Sequence, residues 1–435
     1  MRTAFSQEQL TNPATAECAS VFRRCVQCGF CTATCPTYVL DGNELDSPRG
    51  RIVLMQAMLQ KEGPPDPEAV THIDRCLSCL SCRSHCPSGV DYSRLIDEAR
   101  EHIEAHHVRP LPERLIRRGL GWLLSNRWAF KLALGLGRLG RPLAPVLPGR
   151  LRVMLDLLPQ RIRPAQEPRT NIIPAKGPRR ARVGLLLGCV QDALDPAITD
   201  SAIRVLTTLG ADVVLPTGAG CCGALTHHMG RRAAAEAYAG QLVDAFGAEI
   251  DGDGLDYIAV TASGCGTMLK DYGHFFANDP ERGPRGQDVA AKALDITEIV
   301  AHLGRGKLKA PENLVIAYQS ACSLQHGQKI DGLPRALLAE AGFTVRVPAE
   351  GHLCCGSAGV YNLLQPDISG RLKARKAAAL ASTVPDVIVS GNIGCMTQLK
   401  SAVDVPLVHT VQVLDWALGG PRPEGLAGVR QERRT

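Results

Sequence analysis

Cysteines are the residues of this sequence whose number and spacing could most readily do chemistry. The 435 residues include 17 of them. Eight lie between Cys25 and Cys86, eight lie between Cys189 and Cys395, and Cys18 stands apart. The sequence begins MRTAFSQEQL, which lacks the apolar stretch of a secretory signal, so we expect a cytoplasmic protein. In that compartment many thiols indicate metal ligation or redox chemistry and not structural disulfides.

The first eight cysteines form two copies of the spacing C-x2-C-x2-C-x3-C-P, the bacterial ferredoxin motif. Two-residue gaps allow a looping backbone to place three thiolates on three corners of one iron–sulfur cubane, and the fourth cysteine reaches the other cubane. We therefore expect two 4Fe-4S clusters. The expected ligands of the first are Cys25, Cys28, Cys31 and Cys86, and those of the second are Cys35, Cys76, Cys79 and Cys82.

Two structural zinc sites are the alternative for these cysteines, because soft thiolates also bind zinc. Zinc sites usually pair two C-x2-C units, so four cysteines followed by a proline favour iron–sulfur. The insert between the motifs includes PRGRIVLMQAMLQ, which predicts a helix beginning at Ser47 or Pro48. Arg49 and Arg51 on this helix lie either beside a cluster and its anionic sulfurs or in ordinary surface packing.

The second eight cysteines belong to an internal repeat. Each copy has an apolar run ending in one cysteine, then a CCG triplet, then another apolar run ending in one cysteine. The first pair of cysteines in each copy is separated by the same 32 positions. The copies contribute Cys189, Cys221, Cys222 and Cys265, and Cys322, Cys354, Cys355 and Cys395.

Short apolar runs that alternate with helical stretches predict a parallel α/β sheet in each copy. Every cysteine follows the carboxyl end of a predicted strand, where open α/β sheets bind ligands. These eight thiols could hold a further iron–sulfur cluster or zinc, or they could be buried reduced thiols that pack as small hydrophobes. A dithiol role for the adjacent cysteines is disfavoured by strained geometry. His227, His228 and His352 are either ligands or proton carriers, or loop histidines.

The segment between the two cysteine groups is basic and leucine-rich, and it contributes much of the net charge of +6. Residues 110–160 could lie on the cytoplasmic membrane surface, with Trp and Leu on one helix face and Lys/Arg on the other. The alternative is a helical connector packed on partner subunits or between domains. No apolar run reaches the length of about 20 residues that spans a bilayer. The aromatic content of 4% disfavours a nucleic-acid partner.

The predicted fold class is mixed: an α-helical two-cluster ferredoxin-type domain, followed by a duplicated α/β domain with parallel-type sheets. The predicted boundaries are residues 1–105 for the ferredoxin-type domain, 106–180 for the basic connector and linker, 181–305 and 306–420 for the two CCG repeats, and 421–435 for a polar tail.

The segments CVQCGFCTATCPTY, ELDSPRGRI and DRCLSCLSCRSHCPSGVDY, with the paired CCG repeats, resemble the iron–sulfur subunit of glycolate oxidase (glycolate dehydrogenase). The resemblance covers the chain apart from the generic segment 110–175. It implies FAD-containing partner subunits that oxidise glycolate to glyoxylate, while this chain passes electrons towards a quinone. No G-x-G-x-x-G opens a βαβ unit, so we expect the flavin, and all catalytic residues, on other chains.

Related families leave other functions open. The chain could serve a D-lactate or glycerol-3-phosphate dehydrogenase, or act as a heterodisulfide-reductase-like thiol redox enzyme, or be a zinc-stabilised scaffold. Heterodisulfide-reductase relatives end each CCG repeat in C-x2-C, whereas here Cys265 and Cys395 stand alone. That departure argues against the unusual non-cubane clusters of those relatives. Overall we expect a cytoplasmic protein, peripheral on the inner face of the membrane if the basic segment binds lipid.

Overall fold

The architecture comes from a computed structural model that describes residues 1–61, 63–140, 154–155, 158, 164–167 and 169–428. The predicted connector 106–180 and tail 421–435 therefore lie partly outside the described residues. Up to residue 140 the described chain is helical. Its α-helices are Pro13–Arg24, Pro36–Asp41, Pro48–Gln60, Pro67–Asp74, Ser81–Ser84, Tyr92–His106, Leu111–Ser125 and Arg127–Leu139, with 3-10 turns at Gln9–Thr11 and Glu44–Asp46.

Local sequence explains where the helices of the first part begin. The helix Pro48–Gln60 starts as predicted: the Ser47 side chain accepts a hydrogen bond from the Gly50 amide at 3.0 Å, and proline occupies the first turn. Asn12 and Asp66 cap the helices Pro13–Arg24 and Pro67–Asp74 in the same way. The apolar faces of these helices form one core with several cysteines at its edge.

The remainder contains two sheets. The strands are β1 Ile172–Ile173, β2 Ala181–Leu185, β3 Ala211–Val214, β4 Tyr257–Val260, β5 Ala293–Asp295, β6 Val315–Gln319, β7 Thr344–Arg346, β8 Val387–Ser390 and β9 Leu407–His409. The first sheet has the order β1-β3-β2-β4-β5 and the second has the order β7-β6-β8-β9. Apart from the antiparallel pair β1–β3, all neighbours are parallel.

The strand orders confirm the internal repeat. The order β3-β2-β4-β5 of the first sheet is reproduced by β7-β6-β8-β9 in the second. Strand β1 is an addition to the first copy: it lies within the predicted linker and pairs with the edge strand β3. The predicted fold class, helical ferredoxin-type region then duplicated α/β repeats, is confirmed, with one mixed sheet and one parallel sheet.

Helices surround both sheets. In the first copy they are Gln191–Leu194, Pro196–Thr208, Ala224–His227, Arg232–Asp251, Ser263–Lys270, Tyr272–Phe275, Arg282–Lys292 and Ile296–His302. In the second they are Gly332–Glu340, Tyr361–Leu364, Pro366–Ala381, Ile393–Leu399 and Thr410–Ala417, with a π-helical turn at Ser323–Gly327 and a 3-10 turn at Glu424–Leu426.

The two copies share one apolar core, to which both sheets contribute buried side chains such as Val183 and Ile316. Across their contact, the Arg204 guanidinium donates to the Asp415 carboxylate at 2.6 Å. The Nε2 atom of buried His409 lies 2.9 Å from the Thr261 carbonyl oxygen of the first copy. The two copies therefore form one folded unit and not two independent domains joined by a linker. Within the described part of the chain, no helix is both long and apolar enough to cross a bilayer.

Candidate redox centres

Two similar loops carry the first three cysteines of each ferredoxin motif. In the first loop Gln27 and Gly29 have φ of 57° and 83°, and in the second loop Ser78 and Leu80 have φ of 49° and 59°. Left-handed backbone on both sides of the middle cysteine is uncommon for residues other than glycine. Such strain concentrates at functional sites, and here it wraps each loop around the space that its thiols face.

The first four-cysteine set, Cys25, Cys28, Cys31 and Cys86, lines one small cavity, with Cys82 at its edge. Its thiols accept hydrogen bonds from nearby groups: Gln27 Nε2 lies 3.5 Å from Cys25 Sγ, and the Val90 amide lies 3.4 Å from Cys86 Sγ. Arg49 also lines this cavity. Cys28 is exposed, and its neighbours Val26 and Phe30 are 67% and 68% exposed, so this set lies near the surface.

The second four-cysteine set, Cys35, Cys76, Cys79 and Cys82, lines a second small cavity. The Ser78 amide donates to Cys76 Sγ at 3.5 Å and the Tyr92 hydroxyl donates to it at 3.8 Å. All four thiols are buried. The structure thus brings together both cysteine sets that the sequence analysis named. Cys35 of the first motif lies with three cysteines of the second, and Cys86 of the second motif lies with three cysteines of the first.

Buried Arg51 supplies a positive charge to the second set. Its Nη1 lies 3.8 Å from Cys35 Sγ and 3.1 Å from Thr37 Oγ1, and its Nη2 lies 3.1 Å from Asp46 Oδ1. Asp46 also binds His72 and Arg75, at 2.9 Å and 3.0 Å. The sequence left open whether Arg49 and Arg51 lie beside a cluster site or in ordinary packing; both lie beside cysteines. Sequence reasoning missed Asp46 and His72. The available signal was the position of Asp46, a charged residue directly before the segment SPRGR that carries Arg49 and Arg51.

Burial keeps several of these thiols protonated when no metal is bound. It raises the pKa of Cys31 to about 11, and it raises the pKa of Cys79 and of Cys82 well above the usual range. For Cys79 the next cause is the nearby thiol of Cys322, from the second CCG copy. A metal that binds here must therefore displace protons.

The CCG cysteines meet in equivalent pairs. Cys189 Sγ lies 3.6 Å from Cys221 Sγ in the first copy, and Cys322 Sγ lies 3.8 Å from Cys354 Sγ in the second. Hydrogen bonds among the thiols lower the pKa of Cys221 and of Cys355. The same hydrogen bonds raise the pKa of their partners Cys189 and Cys354.

All eight CCG thiols line one cavity of about 270 Å³, which lies between the two copies and the ferredoxin-type region. Cys76 of the second four-cysteine set lines the same cavity. Leu77 and Cys79 pack in one apolar group with Cys354 and Tyr361, and the Tyr361 hydroxyl donates to the Arg75 carbonyl at 2.9 Å. The second four-cysteine set therefore borders the CCG thiols directly.

The two copies differ in charge beside their cysteines. Lys376 is buried in the second copy and donates to the carbonyls of Glu350 and Gly351 at 3.0 Å and 3.1 Å. Burial lowers its pKa, against the opposing effect of the surrounding cysteines. The residue at the same distance after the first cysteine pair is Val243, also buried. The copies are therefore electrostatically unequal.

The missing second cysteine of each terminal motif has a structural replacement. Three residues after Cys265 stands buried Met268, and three residues after Cys395 stands buried Gln398, whose Nε2 donates to Ser369 at 2.8 Å. Within the described ranges, no group of three His, Cys, Asp or Glu side chains has the spacing to hold a single metal ion.

The histidines near the CCG triplets have identifiable neighbours. His227 Nε2 lies 3.3 Å from Asp97 Oδ2 of the ferredoxin-type region, whereas His228 lines the 270 Å³ cavity. His352 offers its carbonyl oxygen to His326 Nε2 at 3.0 Å. Cys18 is buried in the helical core, where its thiol donates to the Arg94 carbonyl at 3.7 Å.

The residues present fit iron–sulfur clusters in the ferredoxin-type region. Each set supplies four soft thiol donors around one cavity, and amide, hydroxyl or guanidinium donors point at the sulfurs. Charge, hydrogen bonds to sulfur and solvent exposure are the protein's means of tuning such clusters. The two sets differ in all three.

Comparisons with protein families agree with this arrangement. The model described as "4Fe-4S dicluster domain" matches residues 21–90, and the model described as "Cysteine-rich domain" matches residues 183–270 and again 316–400. The family model therefore matches each of the two copies that the sequence and the strand orders identify.

Curated relatives match over nearly the whole chain. The glycolate oxidase iron–sulfur subunit of Escherichia coli (strain K12) is 38% identical over 96% of this chain and 99% of its own length. The probable glycolate oxidase iron–sulfur subunit of Bacillus subtilis (strain 168) is 32% identical over 91% and 94%. Lactate utilization protein A of an Exiguobacterium strain is 25% identical over 54% of this chain and 96% of its own length.

Proposed function

The chain belongs to the family of glycolate oxidase iron–sulfur subunits, and from this premise we propose that it is the electron-transfer subunit of a flavin-dependent glycolate dehydrogenase. Flavin-bearing partner subunits oxidise glycolate to glyoxylate, and this chain carries the electrons towards a quinone at the inner face of the cytoplasmic membrane. The observation that carries the proposal is the pair of exchanged four-cysteine sets, one near the surface and one bordering the CCG thiols.

The eight ferredoxin-type cysteines are the proposed ligands of two 4Fe-4S clusters: Cys25, Cys28, Cys31 and Cys86 for the first, and Cys35, Cys76, Cys79 and Cys82 for the second. When bound, such clusters supply reversible one-electron acceptance. The chain's own contribution is to fix their positions. Arg100 helps to do so at the second loop, since it donates to the Ser78 hydroxyl and the Cys76 carbonyl, each at 2.6 Å.

The CCG thiols are the proposed ligands of a further iron–sulfur cluster. Zinc is the less favoured occupant, because no three ligand side chains in the described ranges have the spacing to hold one metal ion. Support comes from the meeting of Cys189 with Cys221, and of Cys322 with Cys354, at one shared cavity. A heterodisulfide-reductase-like activity is less well supported, because Met268 and Gln398 stand where those relatives have a second terminal cysteine.

The surface beside the first four-cysteine set is the proposed docking face of the electron donor. Val26 and Phe30 are exposed there next to exposed Cys28, whereas the second set is buried against the second CCG copy. Exposed apolar side chains at a redox centre suit a partner that must approach closely. Electrons then enter at the first set and leave through the second.

Purification of the native complex tests the function and the docking face together. We expect flavin-containing subunits to accompany the chain and the complex to oxidise glycolate in preference to D-lactate and glycerol 3-phosphate. Phe30→Glu should weaken co-purification, while Val384→Glu, an exposed valine elsewhere, should not. Oxidation of D-lactate or glycerol 3-phosphate alone would replace glycolate as the substrate, and absence of flavin subunits would contradict the proposal.

A further inference from the structure

The two helices Leu111–Ser125 and Arg127–Leu139, here called the helical hairpin, have apolar residues on two opposite faces. One face is already used. Leu120 packs with Met229 and Val360, and Phe130 and Leu134 pack with Ala193 of the first CCG copy. Packing against the CCG repeats therefore accounts for only half of the apolar residues.

The second apolar face of the helical hairpin is exposed within the described part of the chain. Leu111, Leu115 and Trp122 recur at helical spacing on the first helix, and Trp128, Leu132, Leu136 and Leu139 do so on the second. Each of these side chains is between 50% and 79% exposed, and Val108 just before the first helix is 83% exposed. Eight of the 14 large apolar side chains classed as exposed in the described residues lie in this stretch of 32 positions.

The two tryptophans join the two apolar stripes. Their ring centroids lie 5.7 Å apart in an edge-to-face arrangement at the corner of the helical hairpin. The third tryptophan of the chain, Trp416, is buried in the core shared by the CCG copies. Tryptophan favours the boundary between water and lipid because its ring is apolar and its indole N–H is polar.

The charge of the helical hairpin is almost entirely positive. Residues 108–140 contain seven arginine and lysine residues and a single acidic residue, Glu113. That carboxylate is occupied, since Arg109 and Arg117 both donate to it at 2.9 Å. Arg114 and Arg118 are exposed and make the rim of the apolar stripe cationic, whereas Arg127 and Lys131 lie beside Asp192 of the first CCG copy.

We infer that the open face of the helical hairpin docks on an anionic phospholipid surface. Leucine and tryptophan side chains enter the boundary between headgroups and acyl chains, while Arg114 and Arg118 contact lipid phosphates. A protein partner is the less favoured occupant, because the exposed charges Arg114 and Arg118 are both cations, and the single carboxylate of the hairpin, Glu113, is already paired. The inference deepens the proposed function by giving the membrane contact its residues, and it rests on that function only for its biological purpose.

Vesicle binding by the full-length chain tests the inference without substrate or partner subunits. The probes are vesicles of phosphatidylglycerol and phosphatidylcholine in equal parts, and vesicles of phosphatidylcholine alone. We expect at least tenfold tighter binding to the anionic vesicles, weakened by added salt because screening shortens the range of the charges. Tryptophan fluorescence should shift to the blue on binding, since Trp122 and Trp128 leave water.

Variants separate lipid docking from a folding defect. Leu132→Glu combined with Leu136→Glu should weaken binding to anionic vesicles at least tenfold, because two carboxylates would face the lipid. Val347→Glu combined with Val384→Glu is the matched control: these valines are 53% and 61% exposed on the second CCG copy, and binding should be unchanged. Circular dichroism melts check that both double variants fold.

Three results would overturn the inference: no vesicle binding by the native chain, equal binding by the helical-hairpin double variant, or loss of flavin-subunit co-purification in that variant with vesicle binding retained. The last would assign the face to a protein partner. Failure of glycolate oxidation would leave the vesicle result standing, so the two proposals fail separately.

Discussion

At the scale of single residues, the second four-cysteine set differs from the first by one buried cation. Arg51 is 1% exposed and contacts Cys35 Sγ, whereas Arg49 beside the first set is partly exposed and paired with Glu44 at 2.6 Å. A positive charge stabilises the more negative, reduced form of a cluster, and it acts more strongly where water is excluded. The two centres should therefore have different potentials.

Replacing Arg51 should lower the reduction potential of the second centre. For Arg51→Gln we expect a fall on the order of 100 mV, from a Coulomb energy of about 2–3 kcal/mol at an effective dielectric constant of about 20. Potentiometric titration followed by EPR measures it. Arg75→Gln is the control, because Arg75 binds the same Asp46 carboxylate but makes no hydrogen bond to a cysteine sulfur within the described residues. Equal shifts in both variants would contradict a direct effect of Arg51.

A second residue-scale contact, between Asp97 and His227, depends on pH. Burial alone would raise the pKa of Asp97 and lower that of His227. The charge and hydrogen bond of the partner outweigh burial, so the pKa of Asp97 lies well below its usual range and that of His227 lies above. His228, Glu101 and Arg232 surround the pair; burial lowers the pKa of His228 and raises that of Glu101.

The stabilisation from His227 is complete below its unfolded pKa of about 6.5 and is lost as pH rises through its raised folded pKa. That from Asp97 is present above about pH 4 and is lost in acid. We therefore expect the thermal midpoint to fall between pH 6 and pH 8.5, and Asp97→Asn to remove much of that fall. Asp271→Asn, which breaks the 2.6 Å pair with Arg94 at the same domain contact, should lower the midpoint equally at both values. An unaltered pH profile in Asp97→Asn would rule out this pair.

At the scale of elements, the turn after each cysteine pair requires glycine. Gly223 and Gly356 have φ of 81° and 88°, and a Cβ at either would lie 2.7 Å from a carbonyl oxygen of the following long helix. The Gly356 amide also points at Cys354 Sγ, 3.5 Å away. The CCG triplet thus ends in glycine for two reasons, left-handed backbone and close approach to a helix.

Gly356→Ala should destabilise the chain by about 2–4 kcal/mol, the sum of a left-handed alanine and an unrelieved clash. Gly218→Ala provides the matched control, because Gly218 has φ of 82° and open space where the Cβ would be. It should cost only about 1 kcal/mol. Urea denaturation measures both. If the two substitutions cost the same, the contact with Ser369 does not constrain this turn.

Sequence patterns predicted the local elements better than the contacts between residues that are distant along the chain. Motif spacing is a local property, so it predicted the two four-cysteine groupings, the helix that begins after Ser47 and the internal repeat that the strand orders confirm. Asp46 with His72, Lys376, and Asp97 with His227 join residues that are distant along the chain or lie in different regions, and no local pattern encodes such pairings. Strand β1 was missed because its two residues lie in a segment rich in Pro, Lys and Arg.

At the scale of the whole molecule, the ferredoxin-type region rests on both CCG copies and not on one. Arg94 and Asp271 join it to the first copy, while Tyr361 and Arg75 join it to the second. The cavity enclosed by these three parts holds all eight CCG thiols and Cys76. The helical hairpin packs one face on the CCG repeats and lines the same cavity through Arg117 and Leu124, while its other apolar face is exposed. The proposed donor face, the buried second cysteine set and the hairpin face proposed to bind lipid thus lie in different parts of one body.

The central claim is that the exchanged cysteine sets hold two 4Fe-4S clusters in this chain. Iron, sulfide and zinc analysis of the anaerobically purified chain, with EPR after chemical reduction, tests it most directly. The account predicts at least about eight irons per chain, matching sulfide, and two interacting low-potential cubane signals. Fewer than about four irons per chain, or zinc without iron and sulfide, would contradict it.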